Sequence, residues 1–142
     1  MEQGAGTVDF LTDTTFLIDL WRRRGAGGKA GTFLTDHSDA RFAASWIAKA
    51  EFLRGAAIAG QELRALHPFL GNFETVFPTE GTLASYAELY AALRRANCLL
   101  GPHDLWIAVS ALEHQAPLLT RNVHEFSRVP GLSVIDYSGV VT

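Results

Sequence analysis

Four polar side chains stand beside apolar segments of the sequence, and together they could do chemistry: Asp13, Glu51, Asp104 and Asn122. Asp13 and Asn122 each follow a short apolar run, whereas Asp104 leads a long one and Glu51 lies inside another. If the fold brought them together, three carboxylates would repel one another strongly unless a cation neutralised them. Oxygen ligands of this kind suit Mg²⁺ or Mn²⁺. The set therefore indicates a divalent cation site, provided that the side chains meet.

Each of these residues also has an ordinary explanation. Asp13 could cap the helix that follows it. Glu51 could be a solvated helix charge paired with Arg54, and Asp104 could simply favour the dipole of the helix it leads. Asn122 fits a polar turn. Taken singly, the ordinary explanation is favoured for each residue, so the case for a site depends on all four converging.

The pattern of apolar residues predicts strands that alternate with helices. The predicted strands cover 8–12, 41–45, 73–77, 116–120 and 132–136. The predicted helices cover 15–24, 28–37, 46–58, 81–97 and 102–115. Such alternation is typical of an α/β fold with a mostly parallel sheet of four to five strands, covered by helices on both faces. Ligands of these sheets bind beyond the carboxyl ends of the strands. Asp13 lies just past the carboxyl end of the first strand.

Length and composition limit the choices further. With 142 residues, 48% of them hydrophobic, we expect a single domain over residues 1–142. The lone Cys98 excludes an internal disulfide and a cysteine-built metal site, and it fits a reducing, cytoplasmic compartment. We expect no signal peptide at "MEQGAGT" and no membrane span. Because the net charge is −3, nucleic acid would have to be bound by local patches or through bound cations.

Four motifs, in order, carry a resemblance to a known family. They are "FLTDTTFLID" around Asp13, "AEFLRGA" with Glu51, "HDLWIAVSALEHQAPLLTRN" with Asp104, and "FSRVPGLSVIDY" near the end of the chain. On these motifs the sequence resembles the PIN-domain ribonucleases, and in particular the VapC-type toxins of bacterial toxin–antitoxin systems. The resemblance runs from about residue 8 to residue 137, and it implies the PIN-like three-layer α/β/α sandwich.

The resemblance also implies an activity, a hydrolase that cuts RNA as a metal-dependent endoribonuclease with Mg²⁺ or Mn²⁺. Asp13, Asp104 and Glu51 would be the metal ligands, and Glu51 would also position the attacking water or act as general base, with Asn122 assisting. Two further residues would contact substrate. Thr15 would bind a ligand carboxylate or the phosphate, and Arg121 would bind the RNA.

One position departs from the family pattern. Many members carry a fourth acid where this chain has Asn122. An amide offers an oxygen but no charge, so we expect one tightly held ion. Glu125, one helical turn further on, could supply the missing charge.

The implied partners are an RNA substrate, a small antitoxin protein and a second copy of the chain in a homodimer, with no membrane. The antitoxin's helical tail would lie in an apolar groove; 33–37 and 46–58 could line it, or they could equally belong to the core. Two readings compete with the nuclease. A PIN fold without activity could bind RNA or protein, as Asn122 suggests. An α/β phosphoryl-transfer domain also places Asp after its first strand, but this chain has Thr15 where the haloacid-dehalogenase pattern needs a second Asp.

Overall fold

The computed structural model describes residues 7–23 and 28–139, with only the backbone of Arg23. Its centre is one sheet of five parallel strands in the order β3-β2-β1-β4-β5. The strands are β1 (Phe10–Thr12), β2 (Phe42–Ser45), β3 (Glu74–Val76), β4 (Leu118–Thr120) and β5 (Val134–Asp136). The predicted α/β fold with a mostly parallel sheet is confirmed.

Helices connect the strands, as parallel pairing requires. They are α1 (Thr14–Arg23), α2 (Lys29–Asp36), α3 (Trp46–Ile58), a 3₁₀ helix (Leu63–Leu66), α4 (His67–Leu70), α5 (Glu80–Arg95), α6 (Pro102–Glu113) and α7 (Val123–Phe126). The predicted elements all exist, and their described ends lie within two residues of the predicted ones. The 3₁₀ helix, α4 and α7 were not predicted, because four residues are too few to show a helical period.

The sheet is covered on both faces. Every side chain of β2 and of β4 is buried. Because successive side chains of a strand point to opposite faces, both faces must be packed against other layers. The core combines these strands with large side chains of the helices, among them Phe16, Leu17 and Ile107. This is the three-layer arrangement implied by the sequence.

Helix α5 is less buried than its pattern suggests. Its apolar residues recur at helical spacing, and Leu93 is buried, but Leu83 is 50% exposed. Tyr86 stacks on Trp106 of α6, with ring centroids 4.0 Å apart. Only part of the predicted apolar face of α5 therefore reaches the core. Among the residues described, no helix has the length and apolar content that crossing a membrane requires.

The order of the strands decides where a site can form. From the central strand β1 the chain moves outward through β2 to β3, and it later returns to the other side of β1 with β4 and β5. A crevice forms at such a reversal, beyond the carboxyl ends of the two strands concerned. Those strands are β1 and β4, and the residues at their ends are Asp13 and Thr120.

Candidate active site

Asp13 lies at the bottom of this crevice and is only 2% exposed. Its Oδ2 accepts a hydrogen bond from the Thr120 hydroxyl at 2.5 Å. Its Oδ1 accepts from the Thr15 hydroxyl at 2.6 Å and from the backbone N–H of Phe16 at 3.1 Å. Burial raises the pKa of Asp13 above its ordinary value, and the hydroxyl bonds partly offset that effect. Asp13 caps α1, as its ordinary explanation requires, and it also belongs to a buried polar network.

Glu51 projects from α3 and is held at both oxygens. The Thr14 hydroxyl donates to Oε1 at 2.6 Å, and Nδ1 of His103 donates to Oε2 at 2.7 Å. The Arg54 guanidinium lies 3.9 Å from the same Oε2. The expected pair with Arg54 therefore exists, but it is the longest of the three contacts. The Glu51 side chain is only 17% exposed. Glu51 is a fixed, half-buried carboxylate and not a solvated helix charge.

Asp104 occupies the first turn of α6, as predicted. Several effects raise its pKa to about 6: first burial, then the negative charges of Glu125, Glu51 and Asp13, while His103 acts in the opposite direction. Four carboxylates from distant parts of the chain therefore share one electrostatic environment. The expected convergence is found for Asp13, Glu51 and Asp104, with Glu125 as the fourth charge.

Convergence does not yet make a metal site. In the part of the chain that the structure describes, no group of three or more His, Cys, Asp or Glu side chains is arranged to hold a metal ion. Both oxygens of Asp13 already accept hydrogen bonds, and Glu51 is turned towards Thr14 and His103. The donor chemistry suits a hard cation. Oδ2 of Asp13 accepts one hydrogen bond from the residues described and keeps a second lone pair for an ion, whereas Glu51 would have to turn away from its partners.

Asn122 stands at the edge of the cluster. It is exposed, and its backbone N–H donates to the Thr120 hydroxyl at 2.8 Å. Its side chain forms no hydrogen bond with the residues described here. Glu125, in contrast, is the first of the charges that act on Asp104. Glu125 can therefore supply the negative charge that Asn122 lacks relative to the family pattern.

Arg121 belongs to a second cluster on the β5 side. Its Nε lies 2.6 Å from Oδ2 of Asp19 and donates to the Tyr137 hydroxyl at 3.3 Å. The Tyr137 hydroxyl donates to the same oxygen of Asp19 at 2.5 Å. Mainly through the hydrogen bond with Tyr137, the pKa of Arg121 rises above its usual value. The Arg121 backbone N–H donates to Thr15, which links this cluster to Asp13.

Sequence reasoning missed most of the supporting residues. Thr120 was predicted only as the last residue of a strand, and Thr14, Asp19 and Tyr137 were given no role. The hydroxyls after Asp13 and at the end of "LLT" were the available signal, because they lie at or just beyond the ends of strands that share one edge of the sheet. Thr15 was expected to bind either a carboxylate or a phosphate, and it binds the Asp13 carboxylate.

A cavity of about 200 Å³ opens between α1 and α3. Glu51 contributes to its wall, together with Ile18, Trp21, Arg22, Phe52, Gly55, Ala56, Ala59 and Gln61. Helix α3 therefore lines a largely apolar groove, as predicted. The segment 33–37, predicted to share this role, does not line the cavity, because Phe33 packs against Phe10.

The geometry can be compared with known proteins. The sequence model of the PIN domain family matches residues 10–132 of this chain, a range that includes all four carboxylates. The chain belongs to the PIN-domain family. The ribonuclease VapC1 of Methanocaldococcus jannaschii is 31% identical over 128 residues, covering 89% of this chain and 86% of that protein. The ribonuclease VapC1 of Haemophilus influenzae strain R2866 is 32% identical over 134 residues, covering 91% and 98%.

Solved structures agree with this membership. VapBC2 from Rickettsia felis, bound to a DNA fragment from its promoter, has a TM-score of 0.81 at 23% identity and covers 90% of this chain and 98% of its own; at that identity the likeness concerns the fold alone. A toxin–antitoxin complex from Klebsiella pneumoniae has a TM-score of 0.68 at 30% identity, covering 91% and 98%. The resemblance to PIN domains of the VapC type and the PIN fold are both confirmed.

Proposed function

We propose that this PIN-domain chain is an Mg²⁺- or Mn²⁺-dependent endoribonuclease that hydrolyses RNA phosphodiester bonds, and that it acts as the toxin of a toxin–antitoxin pair. The observation that carries the proposal is that Asp104 lies close enough to Glu125, Glu51 and Asp13 to feel their charges; burial first and these charges second raise the pKa of Asp104 to about 6. Carboxylates crowded in this way cost free energy unless a cation offsets their repulsion. The names of the VapC1 ribonucleases support the same activity.

Asp13, Asp104 and Glu51 would hold the ion, with Glu125 adding charge. Bound there, a divalent cation would lower the pKa of a coordinated water and offset the negative charge of the phosphate. We expect a single ion at this site, because Asn122 supplies no charge of its own.

The side chains of the protein have distinct tasks in this scheme. Thr120 and Thr15 fix both oxygens of Asp13, so that this carboxylate does not reorient when RNA arrives. Glu51 positions the attacking water or accepts its proton, and His103 keeps Glu51 at the rim. Asn122 offers an amide oxygen beside them. Arg121 binds a phosphate of the RNA.

The experiment is cleavage of a structured RNA by the purified protein. We expect cutting with Mg²⁺ or Mn²⁺ and none with a chelator. Asp13→Asn and Asp104→Asn should abolish cutting, while thermal melting shows that both variants still fold. The matched control is Asp9→Asn, because Asp9 lies at the opposite, amino end of β1, where it accepts from the backbone of Arg41. Full activity of either site variant would overturn the mechanism.

We also propose that the groove between α1 and α3 receives the antitoxin. Its wall is largely apolar, and Glu51 stands at one side, so an apolar helix carrying a basic residue would fit both features. Replacing Ala56 by Trp should fill the groove and weaken antitoxin binding, while cleavage by the free protein continues. Unchanged binding by this variant would argue against the groove. The homodimer and the cytoplasmic location remain proposals of the same kind, and sedimentation tests the first.

A second candidate is a PIN domain that binds RNA without cutting it. The absence, among residues 7–23 and 28–139, of carboxylates arranged around a metal position favours it, as does Asn122. Calorimetric titration separates the two functions. A nuclease should bind Mg²⁺ or Mn²⁺ with fixed stoichiometry, and Asp104→Asn should remove that binding, whereas an inactive module should show no such site.

A further inference from the structure

Asp19, Arg121 and Tyr137 form a compact polar cluster, here called the Arg121 clamp. All three pairs among these side chains are in contact at 3.3 Å or less. Tyr137 is buried, although its hydroxyl reaches Asp19 and Arg121. The clamp joins α1, the turn after β4 and the end of β5, which are remote in sequence. Nothing in the proposed hydrolysis uses Asp19 or Tyr137.

The clamp is tied to the carboxylate cluster by two hydrogen bonds in series. The backbone N–H of Arg121 donates to the Thr15 hydroxyl at 3.2 Å, and that hydroxyl donates to Oδ1 of Asp13 at 2.6 Å. Arg121 also directly follows Thr120, the other hydroxyl bound to Asp13. The position of the Arg121 backbone relative to the proposed reaction centre is therefore fixed.

The clamp engages only one end of the guanidinium. Asp19 and Tyr137 contact Nε, while Nη1 and Nη2 of Arg121 form no hydrogen bond with residues in the described ranges. The side chain remains 46% exposed. A guanidinium held at Nε keeps its terminal donors in a fixed plane, which is the geometry that binds two phosphate oxygens at once.

Arg121 differs from two other arginines, Arg41 and Arg54, in how a neighbouring carboxylate binds its guanidinium. Arg41 gives both Nε and Nη2 to Glu74, so its donors are used within the pair. Arg54 has as its carboxylate neighbour Glu51, a member of the proposed catalytic set. Arg121 is held by a carboxylate outside that set and keeps its terminal nitrogens available.

We propose that the Arg121 clamp is a preformed site for a backbone phosphate of RNA next to the bond that is cut, and that Asp19 and Tyr137 are positioning residues for it. The inference rests on the proposed function for its substrate class. Arginine loses conformational freedom when it binds a phosphate, and the clamp removes part of that loss before RNA arrives. The acidic cluster then acquires one fixed donor on its β5 side.

The test exploits a conflict between charge and position. Removing an acid from a surface that meets RNA should, by charge alone, strengthen binding. The clamp predicts the opposite for Asp19→Ala, because Arg121 is then held only by its longer contact with Tyr137. The matched control is Glu74→Ala, which removes the same charge and frees the same kind of side chain, Arg41, at the amino edge of the sheet. This control should bind RNA as tightly as the parent or more tightly.

Binding is measured by fluorescence anisotropy with a labelled single-stranded RNA of mixed sequence. All variants carry Asp104→Asn, so that the measurement does not depend on cleavage. We expect Arg121→Ala to weaken binding about tenfold or more, since a charge-assisted hydrogen bond is lost. The slope of log affinity against log salt should fall by about 0.7, the value for one phosphate contact on a single strand. Asp19→Ala should weaken binding severalfold in the same direction.

Tyr137→Phe removes only a hydroxyl and isolates the positioning effect. In the cleaving protein it should raise KM about threefold, a typical result for one lost hydrogen bond, with kcat nearly unchanged. Tyr90→Phe, on the exposed side of α5, is the control. Melting temperatures identify a variant that has merely lost its fold.

The outcomes separate the two proposals. If Asp19→Ala binds RNA as tightly as its parent or more tightly, or if Arg121→Ala leaves the salt slope unchanged, the clamp is overturned, whatever the cleavage assay shows. If the clamp variants behave as expected and the unmodified chain cuts no RNA with Mg²⁺ or Mn²⁺, the phosphate site stands and the nuclease proposal fails. If the unmodified chain neither binds nor cuts RNA with Mg²⁺ or Mn²⁺ present, both proposals are overturned.

Discussion

The Thr120 hydroxyl donates a hydrogen bond of 2.5 Å to Oδ2 of Asp13, across 107 residues of sequence. Both residues are buried, and each stands at the carboxyl end of a strand at the centre of the sheet. The backbone N–H of Asn122 donates to the same hydroxyl. One oxygen atom therefore fixes the carboxylate and also shapes the turn that carries Arg121.

Replacing Thr120 with Val keeps the shape of the side chain and removes this oxygen. Oδ2 of Asp13 then loses a donor and the Asn122 amide loses an acceptor. The free energy of unfolding should fall by about 1–3 kcal/mol, the usual cost of leaving buried polar groups without partners. RNA cleavage should fall about tenfold, as expected when one hydrogen bond in the site is lost. Urea denaturation and initial cleavage rates measure the two effects.

Thr12 provides the matched control for that substitution. It is as buried as Thr120 and stands at the end of the neighbouring strand, but its hydroxyl has no hydrogen-bond partner among the residues described. Thr12→Val should therefore leave the free energy of unfolding unchanged or raise it by up to about 1 kcal/mol. Equal losses for the two variants would show that the bond from Thr120 to Asp13 contributes nothing particular.

Glu51 and His103 offer a second comparison. Glu51→Gln removes the charge and the proposed base, so kcat should fall by at least about 100-fold, the usual contribution of a general base. His103→Ala removes only one of the groups that hold Glu51, and the bond from Thr14 remains. Its kcat should fall less, by roughly tenfold, a typical loss for a supporting contact. A larger loss for His103→Ala than for Glu51→Gln would instead place the imidazole in the reaction itself.

The fold could be predicted from the sequence wherever the signal was local. Helix α3 was predicted with both ends correct, because its segment is rich in apolar residues and long enough to show a helical pattern; the structure adds a cap that was not predicted, since the Ser45 side chain accepts from the N–H of Ile47. The 3₁₀ helix and α7 escaped prediction, since tertiary contacts and not periodicity stabilise segments this short. That the whole chain forms one domain remains a prediction.

For the site, the position of the carboxylates could be predicted from the sequence, but their hydrogen-bond partners could not. Strand ends of a parallel sheet share an edge, so the convergence of Asp13, Glu51 and Asp104 followed from the pattern. Which hydroxyl or imidazole binds which carboxylate did not follow, because it depends on rotamers and on register between distant segments. The pair of His103 and Glu51 spans 52 residues and has no signature in the sequence. The choice of Glu125 over Asn122 likewise depends on the turn of α7.

The raised pKa of Asp104 predicts how stability depends on pH without metal. Its pKa is about 6 in the folded protein and 3.8 as the ordinary value, so the folded state binds the proton more tightly. Between pH 4 and pH 6 the unfolded chain therefore holds fewer protons, and stability falls as the pH rises. Asp104→Asn should match the wild type at pH 4 and exceed it above pH 6, by about 1 kcal/mol after allowance for partial exposure. Thermal melts in chelator across this range provide the measurement, and a difference that does not change with pH would contradict the assignment.

A divalent cation should offset the loss of stability that accompanies deprotonation of Asp104. The ion would offset the repulsion among Asp104, Glu125, Glu51 and Asp13, so Mg²⁺ or Mn²⁺ should raise the melting temperature at pH 7.5. An ion at 100 times its dissociation constant adds about 2.7 kcal/mol of stability. At pH 5 the gain should shrink, because Asp104 is then largely protonated and binds a cation poorly.

Two variants decide whether the gain comes from this site. Asp104→Asn should lose most of it, since the central carboxylate is gone. Glu74→Gln should keep it in full, because Glu74 lies at the amino end of β3 and pairs with Arg41. If the cation stabilised both variants alike, it would be acting on the surface charge of the protein in general. The four carboxylates would then need another explanation for their crowding, and the metal-dependent mechanism would have lost its physical basis.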